Sequence, residues 1–261
     1  MSQDLVAAPS GAAPARVRGL SLWYGTFRAL DRVTLDVAPG EILSMIGPSG
    51  CGKSTLLRCF NRMNEQSYVR MEGDLEVAGY DVMSRSTDSL ALRRDVGMVF
   101  QRPNPLPISI RENVLFGLRL HAPKTPRSVA EGMMESALQQ VALWELVKDK
   151  LDRDAESLSL EARQKLCIAR LLPLKPKVLL FDEPCSALDP DGTAAVEELM
   201  DEMRGTFTQV VVTHNMQQAR RVSDRCVFML MGELVEVAPT AELFTHPKDE
   251  RTAKYIEGRY G

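Results

Sequence analysis

Short apolar runs, some of them alternating with polar residues, divide the first hundred positions into predicted strands. Alternation in RVRGLSLWY and VTLDV predicts half-buried strands within residues 16–37. The continuous apolar run EILSMIG, residues 41–47, predicts a fully buried strand, and the pattern of residues 53–63 predicts a helix after it. DLEVAGYDV and DVGMVF predict two further strands.

The pattern changes after residue 101, where helical periodicity and Pro-rich joints such as RPNPLP and HAPKTP replace the strand signals. Two capping boxes, Ser109–Glu112 and Ser128–Glu131, predict helix starts, because side chain and backbone there satisfy each other's unpaired donors. We therefore expect an inserted helical subdomain over residues 102–172.

Strand signals return in the last third of the chain. KVLLFDEP and QVVVTH predict buried strands, Asp189-Pro190 predicts a helix start, and RCVFMLMGELVEV predicts two short strands around Gly232. Residues 240–260 predict an amphipathic helix. Strands alternating with helices predict an α/β fold, with residues 16–101 and 173–261 forming the core of a single domain.

Composition excludes several classes of protein. The 261 residues carry a formal net charge of −3, which does not favour a nucleic-acid partner. No apolar run approaches the roughly 18 residues of a membrane-spanning helix, so we expect any membrane role to come through a partner. The first 15 residues lack a secretory signal and predict a mobile tail. The five cysteines include no Cys-x-x-Cys pair, which favours a reducing cytosol.

GPSGCGKST satisfies the phosphate-loop pattern G-x-x-x-x-G-K-[ST] between a predicted strand and a predicted helix. Its glycines allow backbone N–H groups to surround phosphate oxygens; Lys53 is expected to neutralise phosphate charge and Ser54 to place its hydroxyl on Mg²⁺. Cys51 is either a small spacer or a thiol whose modification would block nucleotide entry. The predicted nucleotide-binding residues of this loop are Gly47, Pro48, Ser49, Gly50, Cys51, Gly52, Lys53, Ser54 and Thr55.

Acidic and polar residues end the other predicted strands. Asp182 closes VLLFD and is placed to hold Mg²⁺, and Glu183 is a candidate general base for the attacking water. His214 and Gln101 also end predicted strands, at the sheet edge where ligands bind in α/β folds. A lone histidine is more often structural, and a glutamine at a strand end is usually a polar exit residue, so these two residues alone leave both readings open.

As a set, the motifs GPSGCGKST, VFQ, LSLEARQKLCIAR, FDEPCSALDP and VVVTHN resemble those of the nucleotide-binding subunits of ABC transporters, in the same order, over residues 16–260. Within that family the chain looks most similar to subunits of bacterial phosphate importers, through GMVFQRPNPLPISIRENVLFGLR, KLCIARLL and PKDERTAKYIEGRYG. The resemblance implies a P-loop NTPase core with an antiparallel β-subdomain and an inserted helical subdomain that docks on a membrane subunit.

The resemblance also implies roles by position. Glu183 matches the catalytic carboxylate, His214 the switch histidine at the γ-phosphate, and Gln101 a residue that contacts Mg²⁺ or the attacking water. Residues 186–189 match the loop that crosses a dimer interface. The nucleotide-contacting positions that the resemblance adds outside the phosphate loop are Tyr24, which is either an adenine-stacking or a buried strand aromatic, Ser159 and Asp189.

The activity implied is ATP hydrolysis with Mg²⁺ in a homodimer that sandwiches two ATP molecules. The implied partners are two integral-membrane permease subunits and, indirectly, a periplasmic or extracellular phosphate-binding protein; no nucleic acid is expected. The implied location is the cytoplasmic face of the cell membrane, as a peripheral protein. The alternatives are an ABC ATPase for another substrate, one acting on DNA or ribosomes, or a weakly hydrolysing regulatory subunit.

One motif departs from the family pattern. Where the family typically has Leu-Ser-Gly-Gly-Gln, residues 158–162 are Leu-Ser-Leu-Glu-Ala. A Glu161 carboxylate about 5 Å from a phosphate charge would cost roughly 3 kcal/mol at an effective dielectric near 20. The other readings are that Glu161 turns aside near Arg163 or Lys165, or that it favours the helix N-terminus through the helix dipole. We therefore predict an active ATPase that is slowed if Glu161 points inward.

Overall fold

Residues 14–259 are described by a computed structural model, in which the strands form two sheets. The strands are β1 (Ala15–Tyr24), β2 (Phe27–Val37), β3 (Ile42–Ile46), β4 (Val69–Val77), β5 (Tyr80–Asp81), β6 (Val96–Val99), β7 (Val178–Asp182), β8 (Thr208–Val212), β9 (Arg225–Leu230) and β10 (Glu233–Pro239). The smaller sheet is antiparallel and has the order β2-β1-β4-β5.

The larger sheet has the order β10-β9-β3-β8-β7-β6, in which every neighbouring pair is parallel except β9 and β10. Strands β3, β7 and β8 are buried along their whole length, which is why they are continuous apolar runs in the sequence. The order places the carboxyl ends of β3, β8, β7 and β6 side by side, at the edge where parallel α/β sheets bind ligands.

The helices are α1 (Lys53–Cys59), α2 (Ser89–Asp95), α3 (Ile110–His121), α4 (Arg127–Gln140), α5 (Trp144–Val147), α6 (Leu160–Ala169), α7 (Pro190–Glu202), α8 (Met216–Val222), α9 (Thr240–Thr245) and α10 (Glu250–Ile256). In the part of the chain that the structure describes, no helix has both the length and the apolarity needed to cross a membrane.

The parallel sheet separates two apolar cores. On β7, Leu180 packs into the core shared with the antiparallel sheet and α1. Its neighbours Leu179 and Phe181 point to the opposite face and pack with apolar side chains of α3, α4, α6 and α7. This alternation is the two-residue period of a strand covered on both faces. Helices between residues 102 and 172 thus share this second core with the sheet, and the subdomain boundary stays a prediction.

One of the two predicted capping boxes is confirmed and the other is wrong. Ser109 caps α3: its Oγ accepts from the backbone N–H of Glu112 at 3.2 Å, and Glu112 accepts from the backbone N–H of Ser109. Ser128 lies inside α4, which begins at Arg127 after Pro126. Glu131 forms an ion pair with Arg111 of α3 instead, so a tertiary contact takes the side chain that the local pattern assigned to a cap.

Other boundaries also differ from the sequence prediction. Helix α1 ends at Cys59, and turns with Arg62 at a positive φ follow it. Helix α2 was not predicted. The predicted tail helix is two helices, α9 and α10, because Pro247 disfavours a helical conformation at the residue before it. Ala15, the last residue of the predicted mobile tail, begins β1, and residues 1–13 lie outside the described range.

Candidate functional site

The phosphate loop leaves the carboxyl end of β3 in a conformation that requires glycine. Gly47, Gly50 and Gly52 have φ values of 147°, 77° and 104°, in the region that side chains disfavour. A Cβ on Gly47 would lie 2.2 Å from the carbonyl oxygen of Met229. The close approach of β9 and the turn geometry therefore both require glycine at the first position of the loop.

Lys53 begins α1 and is 6% exposed. Its Nζ donates to the carbonyl oxygens of Gly47 at 2.8 Å and Pro48 at 2.9 Å, so the ammonium is held over the loop. Cys51, also buried, lies 3.6 Å from the same ammonium, and burial raises the pKa of its thiol. A raised pKa leaves Cys51 protonated near neutral pH, which agrees with its reading as a spacer.

Ser54 and Asp182 form the candidate metal site. Ser54 Oγ donates to Asp182 Oδ1 at 2.7 Å, and Arg58 Nη2 donates to Asp182 Oδ2 at 2.9 Å. Asp182 is 3% exposed, so its charge depends on these two donors. Arg58 is not among the site residues predicted from the sequence. It lies four residues after Ser54, on the same side of α1, and that spacing was the signal available.

A hydroxyl beside a carboxylate suits Mg²⁺, which takes few protein ligands and completes its shell with water and substrate phosphates. Among residues 14–259 there is no group of three or more His, Cys, Asp or Glu side chains that could hold a metal ion by itself. A metal ion held by Ser54 and Asp182 would therefore need further ligands, such as water or substrate phosphates.

The predicted catalytic residues meet at one oxygen atom. Glu183 Oε2 accepts from Gln101 Nε2 at 3.1 Å and lies 3.0 Å from His214 Nδ1. Glu183 has a φ of 50°, and its N–H donates to the carbonyl of Val212 at 2.9 Å. A non-glycine residue in this backbone region is strained, and such strain is concentrated at functional sites. Strand β8 ends at Val212, so His214 lies in the loop beyond the strand that was predicted to include it.

Gln164 of α6 connects the segments that carry two of these residues, and sequence reasoning missed it. Its side chain is fully buried, and its Nε2 donates to the carbonyls of Phe100 at 3.2 Å and Pro184 at 2.9 Å. Phe100 directly precedes Gln101 in the sequence. Pro184 directly follows Glu183. One buried amide thus ties α6 to the two segments that carry Gln101 and Glu183.

Tyr24 is attached to the phosphate loop through Asn64. The Tyr24 hydroxyl donates to Asn64 Oδ1 at 3.2 Å, and Asn64 Nδ2 donates to the carbonyl of Thr55 at 2.6 Å. The ring of Tyr68, which is 60% exposed, lies 6.2 Å from that of Tyr24. Two hydrogen bonds thus connect Tyr24 to α1, and adenine stacking on Tyr24 stays a prediction.

Ser159 and Asp189 cap two neighbouring helices. Ser159 Oγ accepts from the N–H of Ala162 at 3.3 Å at the start of α6, and Asp189 Oδ1 accepts from Gly192 at 2.8 Å at the start of α7. Within the described range, no hydrogen bond or ion pair joins either side chain to the phosphate loop. The contact of Ser159 and Asp189 with a nucleotide therefore stays a prediction.

The side chain of Glu161 turns back along α6. Its Oε1 lies 2.9 Å from Lys165 Nζ. The structure therefore agrees with the hypothesis that Glu161 turns aside near Lys165. Arg163, the other candidate partner, donates instead to the carbonyl of Leu158 at 2.8 Å. The altered motif therefore presents Ser159 and Leu160, both exposed, at the tip of the helix.

Known proteins resemble this chain over nearly its whole length. Residues 30–186 match the profile of the family described as ABC transporter. The chain is 51% identical to the phosphate import ATP-binding protein PstB of Pseudoalteromonas translucida (strain TAC 125), over 94% of this chain and 89% of that protein. It is 48% identical to the protein of the same name from Idiomarina loihiensis, over 99% of this chain and 95% of that protein.

Solved structures show the same fold. CbiO1 from Clostridium perfringens, part of the ABC transporter complex cbiONQ, matches with a TM-score of 0.78 and 25% identity, over 95% of this chain and 96% of that one. A bacterial Atm1-family ABC exporter with ATP bound matches with a TM-score of 0.76 and 23% identity. That match covers 98% of this chain, which spans 44% of the exporter chain. The chain belongs to the ABC transporter family, as an ATP-binding protein with the P-loop NTPase core of that family.

Proposed function

We propose that this chain is the ATP-hydrolysing motor of an importer for inorganic phosphate, and that it works as a homodimer on two integral-membrane permease subunits. The observation that carries the hydrolytic part is the convergence of Gln101 and His214 on the Glu183 carboxylate. The phosphate assignment is supported by the relatives named as phosphate import proteins, which match at about half identity over nearly the whole chain.

The roles of the residues in this chain follow from their positions. Lys53 and the backbone N–H groups of the phosphate loop bind the β- and γ-phosphates. Ser54 and Asp182 hold Mg²⁺, which supplies neutralising charge to the phosphates when bound. Glu183 orients the attacking water and accepts its proton. His214 and Gln101 hold that carboxylate from two sides, and the adenine is expected to stack on Tyr24.

The second copy of the chain completes the site. Ser159 is exposed at the start of α6, and Asp189 caps the adjacent α7. A donor set at a helix N-terminus suits a phosphate, and a head-to-tail partner would present it to the γ-phosphate. ATP thus closes the dimer and hydrolysis reopens it, a two-state motion that drives the permease between inward and outward access.

A subunit of this kind acts at the cytoplasmic face of the membrane, as a peripheral protein held by the permeases through its helical block. A phosphate-binding protein on the other side delivers the ion, so this chain does not contact the transported phosphate. The weakly hydrolysing regulatory subunit remains the second candidate function, and the altered residues Leu160 and Glu161 are the observation that favours it.

Reconstitution tests the proposal. The chain, its two permeases and the binding protein are placed in vesicles loaded with MgATP, and uptake of radiolabelled phosphate and of sulfate is followed beside ATP hydrolysis. We expect phosphate uptake that stops with Glu183→Gln in this chain and no uptake of sulfate. Uptake of another anion would overturn the substrate, and binding of ATP without turnover in the complete complex would favour the regulatory subunit.

A further inference from the structure

The side chain of Glu161 has two directions open to it at the start of α6. It lies in the first turn, two residues after the capping Ser159, so it can extend past the end of the helix or fold back along it. The structure has it folded back, with Oε1 2.9 Å from Nζ of Lys165, one turn further along. Residues four apart lie on the same face of a helix, which makes this pair geometrically favourable.

Lys165 needs this partner because its side chain is nearly buried. The residue is 9% exposed and belongs to a run, residues 164–169, in which every residue is buried. An ammonium in such surroundings is unfavourable unless a carboxylate compensates it. Among the described residues, Glu161 is the carboxylate with which Lys165 forms an ion pair. The buried Lys165 ammonium therefore requires a negatively charged partner, and the carboxylate of the half-exposed Glu161 is that partner.

Helix α7 closes the other side of Glu161. A Cβ on Gly192, in the first turn of α7, would lie 3.5 Å from Glu161 Cβ and 3.4 Å from its Cγ. The aliphatic part of Glu161 thus packs against the first turn of α7, whose cap is Asp189. Packing on one side and an ion pair at the tip define one orientation for the carboxylate.

We propose that Lys165 is a positioning residue that holds the Glu161 carboxylate away from the γ-phosphate bound by the opposite subunit, so that a motif without its usual glycines still closes on ATP. This inference rests on the proposed function, because it needs the head-to-tail dimer. Without Lys165 the carboxylate is free to swing past the helix end, where its charge repels the phosphate. With the carboxylate about 5 Å from the phosphate, this repulsion corresponds to at least about a tenfold loss of ATP affinity in the closed dimer.

The test uses the full chain carrying Glu183→Gln, which slows hydrolysis, and measures by analytical ultracentrifugation the MgATP concentration that gives half-maximal dimer. Lys165→Met keeps the volume and removes the charge. We expect it to raise that concentration at least about tenfold, and Glu161→Gln added to it to restore the starting value. Lys165→Arg, which keeps the charge, is expected to dimerise at the same MgATP concentration as the chain that carries Glu183→Gln alone. Lys148→Met, which breaks the exposed pair with Glu145, is the matched control and leaves closure unchanged.

Other results would contradict either the positioning role of Lys165 or the sandwich dimer. An equal loss on Lys165→Met with and without Glu161→Gln means that Lys165 supports the helix and does not position the carboxylate. No loss on Lys165→Met means that Glu161 does not face the phosphate even when released. A parent that binds ATP but stays monomeric would overturn the sandwich dimer of the proposed function, and with it this inference. Thermal unfolding of each variant identifies any that fail to fold, in which case Lys165→Gln replaces Lys165→Met.

Discussion

Glu183 Oε2 lies 3.0 Å from His214 Nδ1, although 31 residues separate the two along the chain. Strands β7 and β8 are adjacent and parallel, so the segments that follow them leave the same edge of the sheet. The side chain of His214 is 59% exposed and that of Glu183 is 20% exposed, so the histidine is accessible to a ligand while the carboxylate lies behind it. This arrangement suits a histidine that contacts phosphate and a carboxylate that acts on water.

Replacing Glu183 by Gln is expected to lower the rate of ATP hydrolysis at least about a hundredfold, because the amide cannot accept the proton of the attacking water. ATP binding is expected to persist, so gel filtration with MgATP should show a dimer. Glu202→Gln, an exposed change at the end of α7, is the control and leaves the rate unchanged. A monomer under these conditions would contradict either the sandwich dimer or the role of Glu183.

Gln101 and His214 are expected to act on Glu183 as one unit. Each lies within hydrogen-bonding distance of the same carboxylate oxygen, so either Gln101→Ala or His214→Ala already releases it from its position. We predict that the double variant loses less activity than the product of the two single losses. Rates at saturating ATP for the four proteins of the cycle measure this, and strictly multiplicative effects would mean independent roles.

Arg58→Gln is expected to raise the Mg²⁺ concentration needed for half-maximal ATP hydrolysis by about tenfold. The change removes the donor to Asp182 Oδ2, and a hydrogen bond to a charged group contributes about 1.5–3 kcal/mol. Arg58→Lys keeps a cation at the site and is expected to lose less.

The readout for Arg58 is a Mg²⁺ titration at fixed ATP, accompanied by Mn²⁺ binding in the presence of a non-hydrolysable nucleotide. Arg16→Gln, which breaks an exposed pair with Asp36, is the control. A lower maximal rate at an unchanged Mg²⁺ requirement would show that Arg58 does not orient the Asp182 carboxylate for a metal ion.

Stability is expected to fall at high pH because of a buried thiol. Burial raises the pKa of Cys59 to about 12, compared with about 8.5 for a free cysteine. The folded protein therefore holds this proton more tightly than the unfolded chain, so the contribution to stability is complete below about pH 8.5 and is lost as the pH rises towards 12. The expected slope is about 1.4 kcal/mol per pH unit for this one group.

Urea unfolding of the wild type and of Cys59→Ala at pH 7.5 and pH 10 isolates the contribution of the Cys59 thiol to the pH dependence of stability, since other groups titrate equally in both proteins. The wild type should lose more stability than Cys59→Ala over this interval. Equal losses would mean that the Cys59 thiol ionises in the folded protein as easily as in the unfolded chain.

The local parts of the site could be predicted from the amino-acid sequence alone. The phosphate loop could be predicted because its turn, its glycines and the lysine that opens α1 are contiguous, and the buried strands were visible as continuous apolar runs. The Asp189 cap of α7 and the capping box at Ser109 were predicted for the same reason. The Ser128 box failed because Arg111, on another helix, pairs with its glutamate.

Features that depend on strand order and on burial could not be predicted in this way, because both arise when the chain folds. The order β3-β8-β7-β6 brings Gln101, Glu183 and His214 together, and no local signal contains that order. The direction of Glu161 is a second case, because the first turn of a helix offers two directions to a glutamate. The structure places it on Lys165 because a nearly buried ammonium needs a carboxylate, and burial is a property of the folded chain rather than of the sequence around one residue.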